Sequence, residues 1–378
     1  MIKTITTLLL ILSSFTLAAQ ESKTFELKVL LESRQYDKII EQYAPTPNDL
    51  SAKALFYIGY AYFMKEDDLN CIRFMDLSIA KDPKDPLVHY TKAATLNYTD
   101  RYEEAIKAFQ IAISLKADNA EYYSGLGDAY YQLKKYEQAL EAYQKATEQA
   151  KVLDRPYSMI AQIYSELKEN KKALAAFYTA KANVSKESDS YRNALFNIGT
   201  LESLAGNHDK AEPAFLELLQ LDSTDYHSYS KLIQIYNHQK AFDKIKPYKD
   251  KLYEAHRNGQ LKDNLEDMFC FAQFKWNDKR IHAFERFEEG NKEKIYYKHI
   301  FYIINNDDQV EYRIQTEYSP IAAELGSYKY VLGMNKGSMH YTFPIGFKEH
   351  PDYDTLKQAV IDILEGKLKP SSSSGKSK

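Results

Sequence analysis

Small side chains recur at a fixed interval along the first half of the chain. Cys71, Ala105, Ala139 and Ala173 follow one another at steps of 34 residues. A repeat of this length is typical of stacked helical hairpins, in which each repeat supplies two helices. The pattern therefore predicts a helical solenoid over most of the chain.

Large and small residues alternate between the two helices of each predicted hairpin. The first helix carries a large residue, then an aliphatic one, then a small one, as in Tyr123, Leu126 and Gly127. The second helix carries a bulky residue four positions after the recurring small one. These bulky residues are Met75, Phe109, Tyr143, Phe177 and Phe215. Because two helices approach closely where a small side chain faces a large one, we expect each bulky side chain to fill the gap beside a small residue.

The combined pattern closely resembles the tetratricopeptide repeat, in which antiparallel helix pairs stack into a right-handed superhelix. The residues that carry this resemblance most clearly are Tyr123, Leu126, Gly127, Tyr130, Tyr136, Ala139, Tyr143 and Ala146. The resemblance implies a mainly α fold with about seven helix pairs, the first of them a capping pair. We place the pairs at 22–47, 51–83, 86–118, 120–153, 155–187, 191–223 and 226–258.

Two prolines fall inside predicted second helices. Pro213 and Pro247 each lie two residues after the recurring repeat position. A proline lacks the backbone N–H of a regular helix, so it delays the start of the helix or kinks it. We therefore expect the last two helix pairs to be less regular.

The hydrophobic pattern changes after residue 258, from a helical period to strict alternation. Val310, Tyr312 and Ile314 alternate with charged or polar residues, which is typical of a half-buried strand. Similar runs occur near 268–276, 280–288, 294–304, 327–334 and 338–345. Leu356, Ala359, Val360, Ile363 and Leu364 then follow with helical spacing. The pattern predicts a smaller α+β domain over 259–368, with an antiparallel β-meander and a C-terminal helix, and a flexible serine- and lysine-rich tail over 369–378. We recognise no family in this domain.

The N-terminal residues 1–19 have the order of a secretory signal peptide. Lys3 precedes the apolar run Leu8–Leu12, and Ala18 and Ala19 precede the polar Gln20. We expect a mature chain that begins near Gln20, is periplasmic or secreted, and resembles exported proteins of Bacteroidetes-type bacteria. Because no cysteine lies near the junction, lipid attachment there is not expected, and no run is long enough to predict a transmembrane segment.

Charge and catalytic motifs narrow the classes of function. The formal net charge of −3 argues against a nucleic-acid partner.

Candidate reactive residues in the C-terminal domain are Cys270, His282, His299, His340, His350 and the pair Asp307 and Asp308. None of them lies in a recognised catalytic, zinc or phosphate-binding motif, and Asp307 and Asp308 suit a hairpin turn. His227 and His238 would lie about 16 Å apart along one helix, too far for one ion. The sequence therefore predicts no catalytic site, no metal site and no cofactor.

The family resemblance implies that ligands lie on the concave groove made by the first helices. The groove residues that it implies are Phe56, Tyr60, Phe63, Tyr90, Asn97, Tyr98, Asp128, Tyr131, Ser158, Gln162, Asn193, Thr200, Gln234 and Asn237. Aromatic and amide side chains suit an extended peptide or a neighbouring subunit, including a second copy of the chain. The clamp with which chaperone-binding members hold an acidic carboxylate is not visible, and the early aromatic residues would also suit plain packing.

These patterns favour a non-enzymatic scaffold that binds a protein partner of unknown identity. Two alternatives stay open. In one, the C-terminal domain is a hydrolytic or small-ligand-binding module to which the repeats bring substrate. In the other, the aromatic groove binds carbohydrate or peptidoglycan.

Overall fold

The computed structural model describes residues 20–151, 153–289, 296–318, 330–347 and 351–375. The predicted signal peptide and His350 lie outside these ranges. Two compact units make up the chain, Met1–Ala194 and Leu195–Lys378. None of the helices in the described ranges combines the length and the hydropathy that a bilayer crossing requires.

The first unit is an array of helices joined by short turns. The described part of α1 spans 20–32. The helices that follow are α2 (Tyr36–Tyr43), α3 (Ala52–Met64), α4 (Asp68–Lys81), α5 (Pro86–Tyr98), α6 (Tyr102–Leu115), α7 (Ala120–Gln132), α8 (Tyr136–Thr147), α9 (Asp154–Glu166) and α10 (Asn170–Asn183), and α11 (Asp189–Leu204) contains the boundary between the units. Helices α3 to α10 pack in consecutive pairs, as the 34-residue period predicts.

The turns inside these hairpins share one backbone conformation. A residue with positive φ follows the first helix of each pair, with φ between 56° and 59° at Arg34, Glu66, Asp100, Lys134 and Lys168. The next N–H then donates back to a carbonyl in the last turn of the helix, as from Lys135 to Tyr130 at 2.9 Å. This is the hydrogen bond of a Schellman motif. Glycine is the usual residue at such a position, so these five side chains carry a conformational cost.

Glycines in the first helices face the bulky residues of the second helices. A Cβ atom placed on Gly127 would lie 2.7 Å from the ring of Tyr143, and one on Gly59 would lie 2.8 Å from the methyl carbon of Met75. Tyr143 and Met75 are fully buried. The predicted interlocking of small and large residues is therefore confirmed.

The second unit contains three further helices, a sheet and a terminal helix. After the end of α11 come α12 (His208–Leu221), α13 (Tyr226–Gln239) and α14 (Ile245–Arg257). The strands are β1 (Met268–Trp276), β2 (Lys279–Glu289), β3 (Tyr296–Ile304), β4 (Val310–Tyr318), β5 (Tyr330–Lys336), β6 (Met339–Phe347) and the short β7 (Ser372–Gly375), and α15 (Tyr353–Leu364) lies between β6 and β7 in sequence. With α14, fourteen helices precede the sheet in the described part of the chain, which matches seven pairs.

The two prolines affect their helices differently. Helix α14 starts at Ile245, only after a 3-10 turn over Phe242–Lys244, so Pro247 lies in its first turn as expected. Helix α12 begins at His208, three residues before the recurring small residue as in the earlier repeats, and continues through Pro213. Of the two expected effects, a late start or a kink, the late start does not occur in α12, since five residues of this helix precede Pro213.

The sheet is an antiparallel meander in which the strands pair in chain order from β1 to β7. Helix α15 buries Leu356, Ala359, Val360 and Ile363 in the core of this unit, as its spacing predicts. The same core contains Ile233 from α13 and Leu252 from α14. This shared core explains why the compact unit begins well before residue 259, where the sequence pattern changes.

The end of the chain differs from the expected flexible tail. Ser372–Gly375 form β7 and pair with β6, where Thr342 is opposite Ser372 and Met339 is opposite Gly375. The ladder uses backbone groups, so a run of serines can complete it without apolar side chains. Residues 376–378 lie outside the described ranges.

Candidate functional site

The first helices of the first unit bring several predicted aromatic residues together. Phe56, Tyr60 and Phe63 follow one another on α3 with ring centroids 6.0 and 5.9 Å apart. The ring of Phe63 also lies 6.2 Å from that of Tyr98 on α5. Phe56 is buried against Cys71 and Met75, which makes it a packing residue, whereas Tyr98 is 75% exposed. These four rings therefore extend from the buried Phe56 to the exposed Tyr98.

A cavity of about 630 Å³ lies beside Tyr98 and contains four of the predicted groove residues. They are Tyr90, Asn97, Tyr98 and Asp128. Its other lining residues include Tyr102 and Phe109 from α6, and Leu153, Asp154 and Arg155 at the start of α9. Three successive repeats thus contribute to one concave site with aromatic walls.

Asn97 has unused hydrogen-bonding capacity in this cavity. Its Nδ2 donates to the carbonyl oxygen of Gly125 at 3.0 Å. Its Oδ1 is buried and accepts no hydrogen bond from the described residues. Gly125 matters for a second reason, since a Cβ there would lie 2.4 Å from the ring of Phe109. The absence of a side chain at position 125 therefore lets α7 approach Phe109 and places a carbonyl within reach of Asn97.

A charged group borders the cavity. Arg155 Nε donates to both carboxylate oxygens of Asp128, at 2.9 and 3.0 Å, and the hydroxyl of Tyr143 donates to Asp128 Oδ1 at 2.5 Å. Burial and the neighbouring carboxylate raise the pKa of Tyr143 above its usual range. Arg155 was missed by the sequence analysis because it belongs to the next repeat, and its role depends on the contact between repeats.

Other predicted groove residues bond to one another outside this cavity. The hydroxyl of Tyr131 donates to Glu166, and Gln162 Nε2 donates to Tyr131 at 2.8 Å and to Glu166 at 3.1 Å. Burial and the hydrogen bond to Glu166 raise the pKa of Tyr131 to about 12. Tyr131 and Gln162 therefore form a polar cluster with Glu166, a residue that the sequence analysis did not select.

Three further predicted groove residues, Ser158, Asn193 and Thr200, lie on α9 and α11. The hydroxyl oxygens of Ser158 on α9 and Thr200 on α11 are buried and make no hydrogen bond with the described residues. Asn193 lies on α11, three residues before Phe196.

Gln234 and Asn237 on α13 are engaged by the sheet of their own unit. Gln234 Nε2 and Ser230 Oγ donate to the carbonyl oxygen of Cys270 at 3.0 and 2.7 Å. Asn237 Nδ2 donates to the carbonyl oxygen of Phe271 at 2.9 Å. Among the described strands, β1 pairs with β2 alone, and α13 supplies donors to the other edge of β1. The amide N–H groups of Gln234 and Asn237 thus donate within their own unit, and the contact of these residues with a partner stays a prediction.

Four of the candidate reactive residues of the second unit have surroundings that suit a structural role. Burial raises the pKa of Cys270 to about 11, so its thiol is protonated at neutral pH. Asp307 and Asp308 lie in the β3–β4 turn, where Asp308 has φ 62°. His340 contacts Asn335 and Glu317. In the described ranges no three His, Cys, Asp or Glu side chains are arranged to hold one metal ion.

Sequence comparisons identify part of the repeat array. A family model described as TPR repeat matches residues 95–134, and a model described as Tetratricopeptide repeat matches residues 120–150. A comparison with curated proteins gave no match.

Solved structures of helical repeat proteins are similar to parts of the chain. YrrB, "a TPR protein with an unusual peptide-binding site", is 19% identical over 49% of this chain and 93% of that chain, with a TM-score of 0.41. The C-terminal part of a TPR repeat-containing protein from Cytophaga hutchinsonii is 17% identical over 54% and 80%, with a TM-score of 0.47. Pseudomonas aeruginosa pilF is 15% identical over 55% and 92%, with a TM-score of 0.43. At these identities and TM-scores the three structures say nothing about what the chain binds.

The matched residues lie in the middle of the helix array. They span α5 to α8 in part, where Gly127 faces Tyr143. The matches show tetratricopeptide repeats over residues 95–150, within a series of interlocking helix pairs.

Proposed function

We propose that the repeats bind an extended segment of a protein partner, with the cavity between α5, α7 and α9 as the main contact. The observation that carries the proposal is that an exposed aromatic ring, Tyr98, lines one concave site together with Asn97, whose buried Oδ1 accepts no hydrogen bond from the described residues. Aromatic side chains pack against an apolar side chain of a ligand, and an amide group forms hydrogen bonds with a peptide backbone.

Charge indicates the kind of segment that would fit. Asp128 is paired with Arg155, and Glu121 at the cavity edge is paired with Lys151, which leaves Asp154 as the carboxylate without a paired cation in this group. A strongly acidic segment would therefore be disfavoured. The proposed ligand is an uncharged or weakly basic segment with one large apolar anchor.

The test starts from an unbiased selection of extended peptides on the full chain. Selected peptides should share an aromatic or aliphatic anchor and should lose affinity for Asn97→Ala and Tyr98→Ala variants. Tyr178→Ala removes a half-exposed tyrosine from the second helix α10 and serves as the matched control. Equal binding by all three variants would remove the proposal. Oligosaccharide binding that depends on Tyr98, without any peptide binding, would favour the carbohydrate alternative.

We further propose that the chain acts outside the cytoplasm. The support is the order of charge, apolar run and small residues over 1–19. A scaffold in the cell envelope or outside the cell would then meet exported partners, of which a second copy of the chain is one to test by sedimentation.

A further inference from the structure

The second unit contains a cavity of about 610 Å³, and Asn237, one of the predicted groove residues, is among the residues that line it. It lies between one face of α14, the packed face of the sheet and the start of α15. The α14 face presents Lys246, Lys249, Tyr253 and Arg257 at helical spacing, and Phe242 comes from the preceding 3-10 turn. The volume is in the range of small-molecule sites.

The inner end of the cavity is polar, and its carboxylate already has hydrogen-bonding partners. Glu285 on β2 is 3% exposed and His299 on β3 is 4% exposed. Lys249 Nζ lies 2.8 and 2.9 Å from the two oxygens of Glu285, and the hydroxyl of Tyr253 donates to it at 2.8 Å. His299 Nε2 lies 3.3 Å from the same carboxylate. With three neighbouring donors, Glu285 has little capacity left for a ligand.

The side chains at the cavity that remain available to a polar ligand are cationic. Arg257 is exposed and makes no hydrogen bond or ion pair with the described residues. Lys246 is paired with Asp250 at 2.6 Å, but both side chains are largely exposed, so an ion could compete for this lysine. Asp352 at the rim already caps α15 through the N–H of Thr355 at 2.7 Å.

The walls between these polar groups are apolar. Ile233 and Ile245 line the helical side, and the rings of Phe271 and Tyr353 meet edge to face at 5.7 Å on the other. Phe242 at the mouth is 46% exposed. An apolar body of one or two rings would bury these surfaces and gain the hydrophobic free energy of burial.

We propose that this cavity binds a small amphipathic anion, whose apolar body packs against Phe271 and Tyr353 and whose acidic group pairs with Arg257. Lys246 lies eleven residues earlier on α14, about 16 Å along the helix, and does not share that contact. The proposal is independent of peptide binding by the repeats. It gives the second unit a ligand of its own, of the aromatic or aliphatic carboxylate or sulfonate class.

Two fluorescent probes that differ in charge test the proposal on the full chain. Anilinonaphthalene sulfonate carries an anion on an aromatic body, and phenylnaphthylamine is its uncharged counterpart. We expect saturable sulfonate binding to the folded chain, weakened at least about fivefold by Arg257→Ala, because this change removes a charge-assisted contact. Binding of the uncharged probe should change less than about twofold.

Lys251→Ala is the matched control for the charge. Lys251 lies on the same helix, pairs with Glu254 at 2.9 Å and does not line the cavity. Thermal unfolding of each variant checks that the fold is intact, which is expected because the substituted side chains are exposed. Lack of saturable sulfonate binding, an equal loss in Lys251→Ala, or an equal loss for the uncharged probe would overturn the proposal.

Discussion

Gly127 on α7 packs directly against the ring of Tyr143 on α8, with room for no side chain between them. A Cβ on Gly127 would lie 2.7 Å from two ring carbons, and Tyr143 is fully buried. This contact sets how closely the two helices of the hairpin approach. The same relationship recurs between Gly199 and Phe215, where the distance is also 2.7 Å.

Gly127→Ala should destabilise the chain although alanine is the better helix former. Alanine gains about 1 kcal/mol in helix propensity, whereas overpacking a core costs about 1–3 kcal/mol. We expect a net loss of about 1 kcal/mol in the free energy of unfolding, measured with urea. Adding Tyr143→Leu to Gly127→Ala should remove part of the clash, so the two changes should be less than additive. Stabilisation by Gly127→Ala alone would contradict the contact.

Lys168→Gly should stabilise the turn between α9 and α10. Lys168 is exposed and has φ 59°, a conformation in which glycine lacks the steric cost of a Cβ. The free energy of unfolding should rise by about 0.5–1 kcal/mol. Lys168→Ala keeps the Cβ and removes only the rest of the side chain, so it should give no such gain. A similar effect of both variants would show that the backbone conformation is not the cause.

Tyr98→Ala should separate binding from stability. Its side chain is 75% exposed, so the free energy of unfolding should change by less than about 0.5 kcal/mol. If the ring is an anchor for the partner, affinity should fall at least tenfold, about 1.4 kcal/mol. Isothermal titration calorimetry with a selected peptide measures the affinity, and urea unfolding measures the stability. A loss of stability matching the loss of affinity would assign Tyr98 to packing instead.

Glu285 should make the second unit less stable in acid. Burial by itself would raise the pKa of Glu285, but the hydrogen bond from His299 and the charge of Lys249 hold it at about 2. Because the folded pKa is depressed, this stabilisation is fully present above the unfolded pKa of about 4.3 and is lost as pH falls towards 2. Its size is on the order of 2–3 kcal/mol.

Glu285→Gln provides the comparison for this pH dependence. The variant should be less stable at pH 7, because Lys249 is left without its carboxylate partner. Its unfolding free energy, measured by urea titration at several pH values, should vary less between pH 5 and pH 2 than that of the parent chain. Parallel pH profiles for the two proteins would show that Glu285 is not the group responsible.

Export should leave a mature chain that begins near Gln20. The expectation depends on the order of residues 1–19 alone. Intact-mass measurement of the chain recovered from its native host would locate the start. Recovery of a chain with Met1 intact from the cytoplasmic fraction would end this interpretation.

The repeat array could be predicted from the sequence because its packing is local and repeats. Each bulky residue, such as Tyr143, meets a small residue about sixteen positions earlier, so the contact leaves a periodic trace that can be read along the chain. The alternation in β4 and the spacing in α15 are likewise short-range patterns that report a buried face. The left-handed turn residues left no such trace, because arginine, glutamate, aspartate and lysine occupy them.

The site depended on tertiary structure, since a helical pattern shows which face is polar but not what covers it. Asn97 and Asn237 occupy comparable first-helix faces and each lines a cavity, yet Asn97 donates to the neighbouring repeat at Gly125 whereas Asn237 donates to the edge of β1. Arg155 joins Asp128 only through the contact between repeats, and Glu285 acquires Lys249 and His299 only when α14 and β3 pack around it. Sequence determined the helices, most of the strands and the interlocking residues by local periodicity. Only the tertiary structure decided which polar side chains remain available, because that depends on neighbours distant in the chain.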